Sequence, residues 1–195
     1  MRRVRSHFDR GEVSDIWGEM LQTPLCPLWL YFSRSGLRAV YFNHPGQQLG
    51  PQWPVRVRPT EAKLMADLHR WRWETVTALG AYFDGRIPDF GRLTLDMRGT
   101  AFQVRVWQAL RQTPFGGLTS YQKLAQCIGM PGGARAVGGA LRVNPLPIII
   151  PCHRVLTANG GLGGFSAGLN YKRYLLSHER LVLDGNPLPP YVSDC

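Results

Sequence analysis

A cysteine beside a histidine, Cys152-His153, lies between Pro151 and Arg154 and is the chain's plainest source of nucleophilic chemistry. A thiolate is a strong nucleophile, and an imidazole can accept the thiol's proton. Two readings of the pair stay open on spacing alone. In extended backbone adjacent side chains point to opposite faces, so the two cooperate only through a turn or through a water between them. The alternative is a buried structural cysteine, the commoner role for the residue. Pro151 ends any ladder and keeps Ile150 extended, which puts Cys152 at the end of a rigid element, where a reacting atom is well positioned. Glu179, downstream, is either a solvated charge or a buried carboxylate that orients a histidine.

The other cysteines, Cys26, Cys127 and Cys195, form no C-x-x-C pair and no Cys/His cluster with zinc spacing, so no metal is expected. Cys26 and Cys127 read as small core residues, Cys195 as an exposed terminal one. The stretch 160–168, Gly-Gly-Leu-Gly-Gly-Phe-Ser-Ala-Gly, lacks the Lys-Ser/Thr ending of a phosphate loop and does not fit G-x-G-x-x-G. It reads as a loop that lets backbone approach a ligand closely. The stretch 134–142, Ala-Arg-Ala-Val-Gly-Gly-Ala-Leu-Arg, offers only Arg135 and Arg142 for polar contact. A helix that reads bases in the major groove needs several base-addressing side chains. Two adjacent glycines cost a helix roughly 2 kcal/mol relative to alanine, which is reasonable where another surface must come close. That surface is a neighbouring helix on one reading and a nucleic-acid groove on the other.

The elements that position these residues fall into two parts with a boundary near Gly99: residues 1–98 and 99–195. In the first, residues 1–22 show no clear pattern and read as a partly ordered extension. Two apolar runs around Ser33-Arg34-Ser35-Gly36 predict a hairpin, 28–32 and 37–42. A Pro/Gly/Gln-rich loop follows, with a short strand expected at 55–57. Thr60 then caps a helix whose buried stripe is Leu64, Leu68, Trp71, Thr75, Leu79 and Tyr82. Asp84-Gly85 ends that helix, and 92–97 alternates as a strand. In the second part Thr100-x-x-Gln103 is a capping box opening a helix to about Gln112, buried through Phe102, Val106, Ala109 and Leu110. A second box, Thr119-x-x-Gln122, opens a helix ended by Gly129. With the turn Pro131-Gly132-Gly133 and helix 134–142 it makes a helix-turn-helix. The isoleucines at 148–150 read as a buried strand, and 169–179 as a final helix. The fold class is α+β: a small sheet-plus-helix domain, then a mostly helical one.

The formal net charge of +10 over 195 residues points to a polyanion, because lysines and arginines displace phosphate counterions. A basic enzyme without such a partner fits the charge equally well. No run of 18 apolar residues occurs and no apolar core follows Met1-Arg2-Arg3-Val4-Arg5, so neither a membrane span nor secretion is expected. The expected location is cytoplasmic, at the nucleoid in a prokaryote, or nuclear in a eukaryote.

From about Gly99 to Glu179 the chain resembles the active-site domain of the O6-alkylguanine-DNA alkyltransferases, also called methylated-DNA–protein-cysteine methyltransferases. The matching pieces are Ser120-Tyr121-Gln122, Ala134-Arg135-Ala136-Val137-Gly138-Gly139-Ala140, Asn144-Pro145, the run from Pro147 to Val155, and Gly163-Gly164-Phe165-Ser166. Their order and spacing match as well, and Thr23-Pro24-Leu25-Cys26-Pro27-Leu28-Trp29 extends a weaker similarity upstream. The resemblance implies irreversible, single-turnover transfer of an alkyl group from O6 of guanine in double-stranded DNA, with O4 of alkylthymine as a further substrate. It implies no cofactor and a monomer that meets the minor groove with a flipped base. By position, Cys152 would accept the alkyl group, His153 would take its proton through water, Glu179 would orient His153, and Asn144 would brace the turn. Tyr121 would donate to the flipped guanine, the Ser166 N–H would polarise O6, and the Cys152 and Val155 carbonyls would read the exocyclic amine. Gly163 and Phe165 would complete the pocket, and Arg135 would fill the gap in the stack, on a helix face made by Ala134, Ala136, Gly138 and Arg142.

The chain departs from the family pattern at Val143 and Cys26, where glycine is usual, and at Phe165, where tyrosine is usual. The zinc ligands of some animal members have no evident counterparts. Three rivals differ in recognisable ways. An alkyltransferase-like lesion sensor would lack Cys152. A helix-turn-helix regulator would carry base-reading side chains, and a Cys-His hydrolase would turn over repeatedly.

Overall fold

The computed structural model describes residues 16–43 and 61–179. The expected strand at 55–57, the Thr60 cap and Cys195 lie outside them. The described residues divide into two compact units at 98/99, with 83–87 belonging to the second.

The first unit holds an antiparallel sheet, β1 (Trp17–Leu21), β2 (Leu28–Ser33) and β3 (Gly36–Phe42), in that order. The hairpin of β2 and β3 forms as expected. At its turn Gly36 has φ +133°, and a Cβ there would sit 2.4 Å from the Thr94 carbonyl oxygen, so only glycine fits. Strand β1 corrects the end of the expected extension 1–22, of which residues 1–15 lie outside the described residues. Trp17 pairs with Phe32 and Leu21 with Leu28. Four of its five residues are half-buried, so backbone pairing rather than an apolar alternation orders it, and no periodicity announces it. Helix α1 (Ala62–Phe83) buries all six residues of the expected stripe, and Ala78 besides.

The expected strand at 92–97 does not form. A 3₁₀ turn, Phe90–Arg92, leads into extended backbone that meets β3 by a single parallel bridge, Leu37 with Leu95. The Leu37 N–H donates to Thr94 O and the Asp96 N–H to Leu37 O, both at 2.9 Å. The side chain of Asp96 supplies the remaining attachment: its carboxylate accepts from Ser33 Oγ at 2.6 Å and from Arg98 Nε at 3.1 Å.

In the second unit α2 (Ala101–Arg111) begins with the expected capping box, Thr100 and Gln103 each accepting from the other's backbone N–H. Strands β4 (Thr119–Ser120) and β5 (Val155–Leu156) form a short parallel pair. Helix α3 (Tyr121–Cys127) starts one residue later than expected. Ser120 is its cap, accepting from the Lys123 N–H at 3.1 Å, because Thr119 is committed to β4. Helix α4 (Ala134–Arg142) completes the helix-turn-helix. Trp107, fully buried on α2, donates its indole N–H to Ala140 O at 3.0 Å and ties α2 to α4. Helix α5 (Leu169–His178) follows, with Glu179 as its C-cap. Residues 148–150 are buried as expected but form turns, not a strand. Pro145, Pro147 and Pro151 remove the N–H groups a ladder would need. No described helix is long and apolar enough to cross a membrane.

Candidate active site and nucleic-acid interface

The stretch 144–154 is a compact knot of turns that presents Cys152. Ile148 has φ +74°, a conformation that β-branched residues avoid, yet its side chain is fully buried. Such backbone persists only where its surroundings over-determine it, and it gathers at functional sites. Asn144 supplies much of that constraint. Its Nδ2 donates to Ile150 O at 2.8 Å and to Cys152 Sγ at 3.3 Å, while its Oδ1 accepts from the Leu146 N–H at 3.0 Å. Cys152 then begins a 3₁₀ turn, Cys152–Arg154. The chain is therefore not extended at Cys152-His153, and opposite-face geometry does not separate the two side chains. Burial pushes the Cys152 thiol up, while the Asn144 N–H, the charge of Lys172, and the backbone N–H groups of Cys152 and His153 pull it down.

His153 is wholly buried and its Nε2 lies 2.7 Å from Glu179 Oε1. Burial holds the imidazole below its ordinary pKa, against the pull of Glu179, so the ring is neutral at physiological pH. A neutral ring beside a carboxylate carries its proton on Nε2, which leaves Nδ1 as an acceptor. Nδ1 is buried and has no protein partner. Burial works to raise the Glu179 carboxyl, but His153 and Arg154 together override it and hold it well below the usual carboxylate range. Arg154 donates through Nε to Oε2 at 2.8 Å and through Nη2 to Oε1 at 3.0 Å, and the Gly116 N–H reaches Oε2 at 3.1 Å. Arg154 also donates to Thr113 O at 2.6 Å and lies over the Phe115 ring. Glu179 is therefore a buried carboxylate and not a solvated charge.

Two cations of this site went unassigned in the sequence. Arg154 appears there only as part of the 151–154 segment, and Lys172 receives no role. Lys172 is in fact fully buried, and its Nζ donates to Val155 O at 2.6 Å and to Leu162 O. Its amphipathic neighbours Leu175 and Leu176, three and four residues on, are the one periodic signal that could have placed it on the buried face.

A cleft of about 750 Å³ opens in the same unit, lined on one side by Ala134, Arg135, Gly138 and Arg142 of α4. Tyr121, Phe165 and Ser166 line the rest with Thr157, Ala158 and Gly164 among others. Gly163 holds φ +64°, and a Cβ on it would lie 2.9 Å from the Tyr121 hydroxyl, so its lack of a side chain lets the phenol approach the loop. Burial raises the Tyr121 phenol, a bond from the Gly164 backbone lowers it, and the nearby Cys152 charge raises it again. Cys152, His153, Asn144, Glu179 and Val155 are not among the lining residues, and Ala136 is exposed on α4 outside the cleft.

The α4 glycines decide between the two surfaces left open by the sequence. A Cβ on Gly139 would meet nothing within 4 Å, and one on Gly138 would make ordinary contact with the Tyr121 ring at 3.7 Å. Neither glycine is needed for packing among the described residues. Arg135, Ala136, Gly139 and Arg142 form the exposed face of the helix, opposite Val137, Ala140 and Leu141. Among the described residues no group of three or more His, Cys, Asp or Glu is arranged to hold a metal ion.

The profile of the family described as 6-O-methylguanine DNA methyltransferase, DNA binding domain, matches residues 101–181. A methylated-DNA–protein-cysteine methyltransferase of Salmonella typhimurium is 37% identical over 175 residues, covering 85% of this chain and 96% of that protein. One from Mycolicibacterium paratuberculosis is 50% identical over 105 residues, which is 54% of this chain and 63% of the relative's length. A crystal structure of Mycobacterium tuberculosis OGT in complex with DNA superposes with a TM-score of 0.66 at 38% identity, over 83% of this chain and 91% of that one. With the buried Cys-His-Glu arrangement, the helix-turn-helix and these likenesses together, the chain belongs to the methylated-DNA–protein-cysteine methyltransferase family.

Proposed function

We propose that this protein repairs DNA by moving an alkyl group from O6 of guanine to Cys152 Sγ, once per molecule. The observation that carries the reading is the fixed order of buried groups: Asn144 on the thiol, and beside it His153 with Nε2 on Glu179 and Nδ1 unpartnered. A neutral imidazole with a free acceptor is what deprotonation of a thiol requires.

The thiol proton passes to His153 Nδ1 through a water. Sγ attacks the alkyl carbon in line, the S–C bond forms as the C–O6 bond breaks, and the bonding pair goes to O6. A proton returns to the base, which leaves as ordinary guanine. Atoms and charge balance without a cofactor, and the thioether left on Cys152 has no ready leaving route. Tyr121 donates to the base, the Ser166 N–H polarises O6, and Phe165 walls the pocket. The Cys152 and Val155 carbonyls read the exocyclic amine, Val155 O doing so with the acceptor capacity that Lys172 leaves it.

A base inside a duplex cannot reach a buried thiol, so the nucleotide must be extruded. Helix α4 meets double-stranded DNA in the minor groove, its small exposed face allowing close approach and Arg135 taking the place of the flipped base. The protein does this as a monomer. Incubation with duplex containing O6-methylguanine should add one methyl mass per protein, mapped to Cys152. Repeated turnover, or methyl on any residue other than Cys152, would sink the mechanism.

A further inference from the structure

Arg154 takes no proton and gives none in the transfer, yet it grips the carboxylate that orders the imidazole. Its Nη2 and His153 Nε2 meet on one oxygen, Glu179 Oε1, at 3.0 and 2.7 Å. Its Nε donates to the other oxygen, Oε2, at 2.8 Å, where the Gly116 N–H also donates at 3.1 Å. Nη1 holds Thr113 O at 2.6 Å, and the guanidinium lies over the Phe115 ring, so the fork itself is fixed. Arg154, His153 and Glu179 are all buried.

A carboxylate against an imidazole orients the ring, but it also favours the ring's protonation. A protonated ring has no acceptor left for the proton of a thiol. With Arg154 on the same carboxylate, neutral His153, anionic Glu179 and cationic Arg154 sum to zero, where an uncompensated buried charge is costly. Without Arg154 the remaining pair is net negative, and taking up one proton cancels that charge. Whether the proton rests on the ring or on Oε1, from which Nε2 would then accept, Nδ1 carries hydrogen.

We propose that Arg154 is a positioning residue for the transfer: by clamping and neutralising Glu179, it lets that carboxylate orient His153 while Nδ1 stays free of hydrogen. The directions of the shifts agree. Burial holds His153 down against the pull of Glu179, and the charges of Arg154 and Lys172 add to the lowering. Lys172, from α5, is bonded through Nζ to the Val155 and Leu162 carbonyls, whereas Arg154 shares an oxygen with the ring.

The inference deepens the reading of His153 as the base, and methyl mapping on Cys152 tests the transfer separately. Its own test needs no DNA. Nitrogen NMR of the His153 imidazole across pH distinguishes a bare Nδ1 from a protonated one. In Arg154→Met the midpoint for protonation of Nδ1 should rise by about one pH unit or more. Arg154→Lys, which keeps the charge, should recover most of that shift. Equal midpoints in wild type and Arg154→Met, or no recovery in Arg154→Lys, would overturn the proposal. Should Arg154→Met fail to fold, Glu179→Gln and the double variant Arg154→Met/Glu179→Gln serve, since neither leaves a buried carboxylate without its cation. His153 should titrate higher in the double variant, which lacks the guanidinium charge, and coincident midpoints would equally overturn the proposal.

Discussion

At the scale of single residues, His153 keeps one nitrogen as an acceptor only because the other is fixed, and Glu179 fixes it at 2.7 Å, both side chains being wholly buried. On the proposed mechanism His153→Ala removes the base, and Glu179→Gln removes the charge that orders the ring. Each should slow transfer by about 10²-fold or more with affinity for DNA nearly unchanged, measured by single-turnover kinetics beside a binding titration. Parallel losses of rate and affinity would instead make the pair purely structural. Both groups sit below their ordinary pKa in the fold. Between each folded value and its unfolded one the unfolded chain therefore binds more protons, and stability drops as pH falls. The drop begins below about pH 6.5 for His153 and continues through the carboxylate range for Glu179. Urea midpoints should decrease from about pH 7.5 to 6 in the wild type and decrease less in His153→Gln. Cys152 and His153 were legible because nucleophile and base are written in residue types. Arg154 and Lys172 were not, since a long cationic side chain looks like surface until a fold closes over it.

At the scale of elements, the helix-turn-helix was legible from its caps and breakers, while the 144–152 turn was not. Three isoleucines in a row look like a buried strand, and only the prolines around them argue otherwise. The positive φ of Ile148 has no sequence signature at all. Helix α4 carries the sharpest consequence at this scale. Gly139 is exposed, helical and surrounded by open space, so nothing among the described residues opposes a methyl group there. Gly139→Ala should stabilise the protein by up to about 1 kcal/mol through helix propensity alone. If the bare face exists for close approach to DNA, the same variant should bind duplex several-fold more weakly. A thermal melt and a binding isotherm on one preparation read both effects, and a gain in stability with unchanged affinity would show that the groove does not come that close.

At the scale of the molecule, the net charge of +10 fitted a polyanion partner and a basic enzyme without one equally well, and could not say where a polyanion would lie. The structure puts Arg135 and Arg142 on the exposed face of α4, at the lip of the cleft. These two should separate by role. If Arg142 contacts phosphates, Arg142→Ala should weaken binding to unmodified duplex uniformly across sequences and reduce the slope of log affinity against log salt by about one. On the proposed mechanism Arg135 replaces the extruded base, and Arg135→Ala should then impair repair of duplex DNA and spare reaction with free benzylated guanine, which needs no flipping. The comparison of duplex with free base is decisive because the two substrates share the pocket and differ only in whether a stack must be opened. Equal losses on both would place Arg135 in support of the pocket. A selection from random duplexes that returned a sharp consensus would mean that α4 reads sequence, which its alanines and glycines give it almost no means to do.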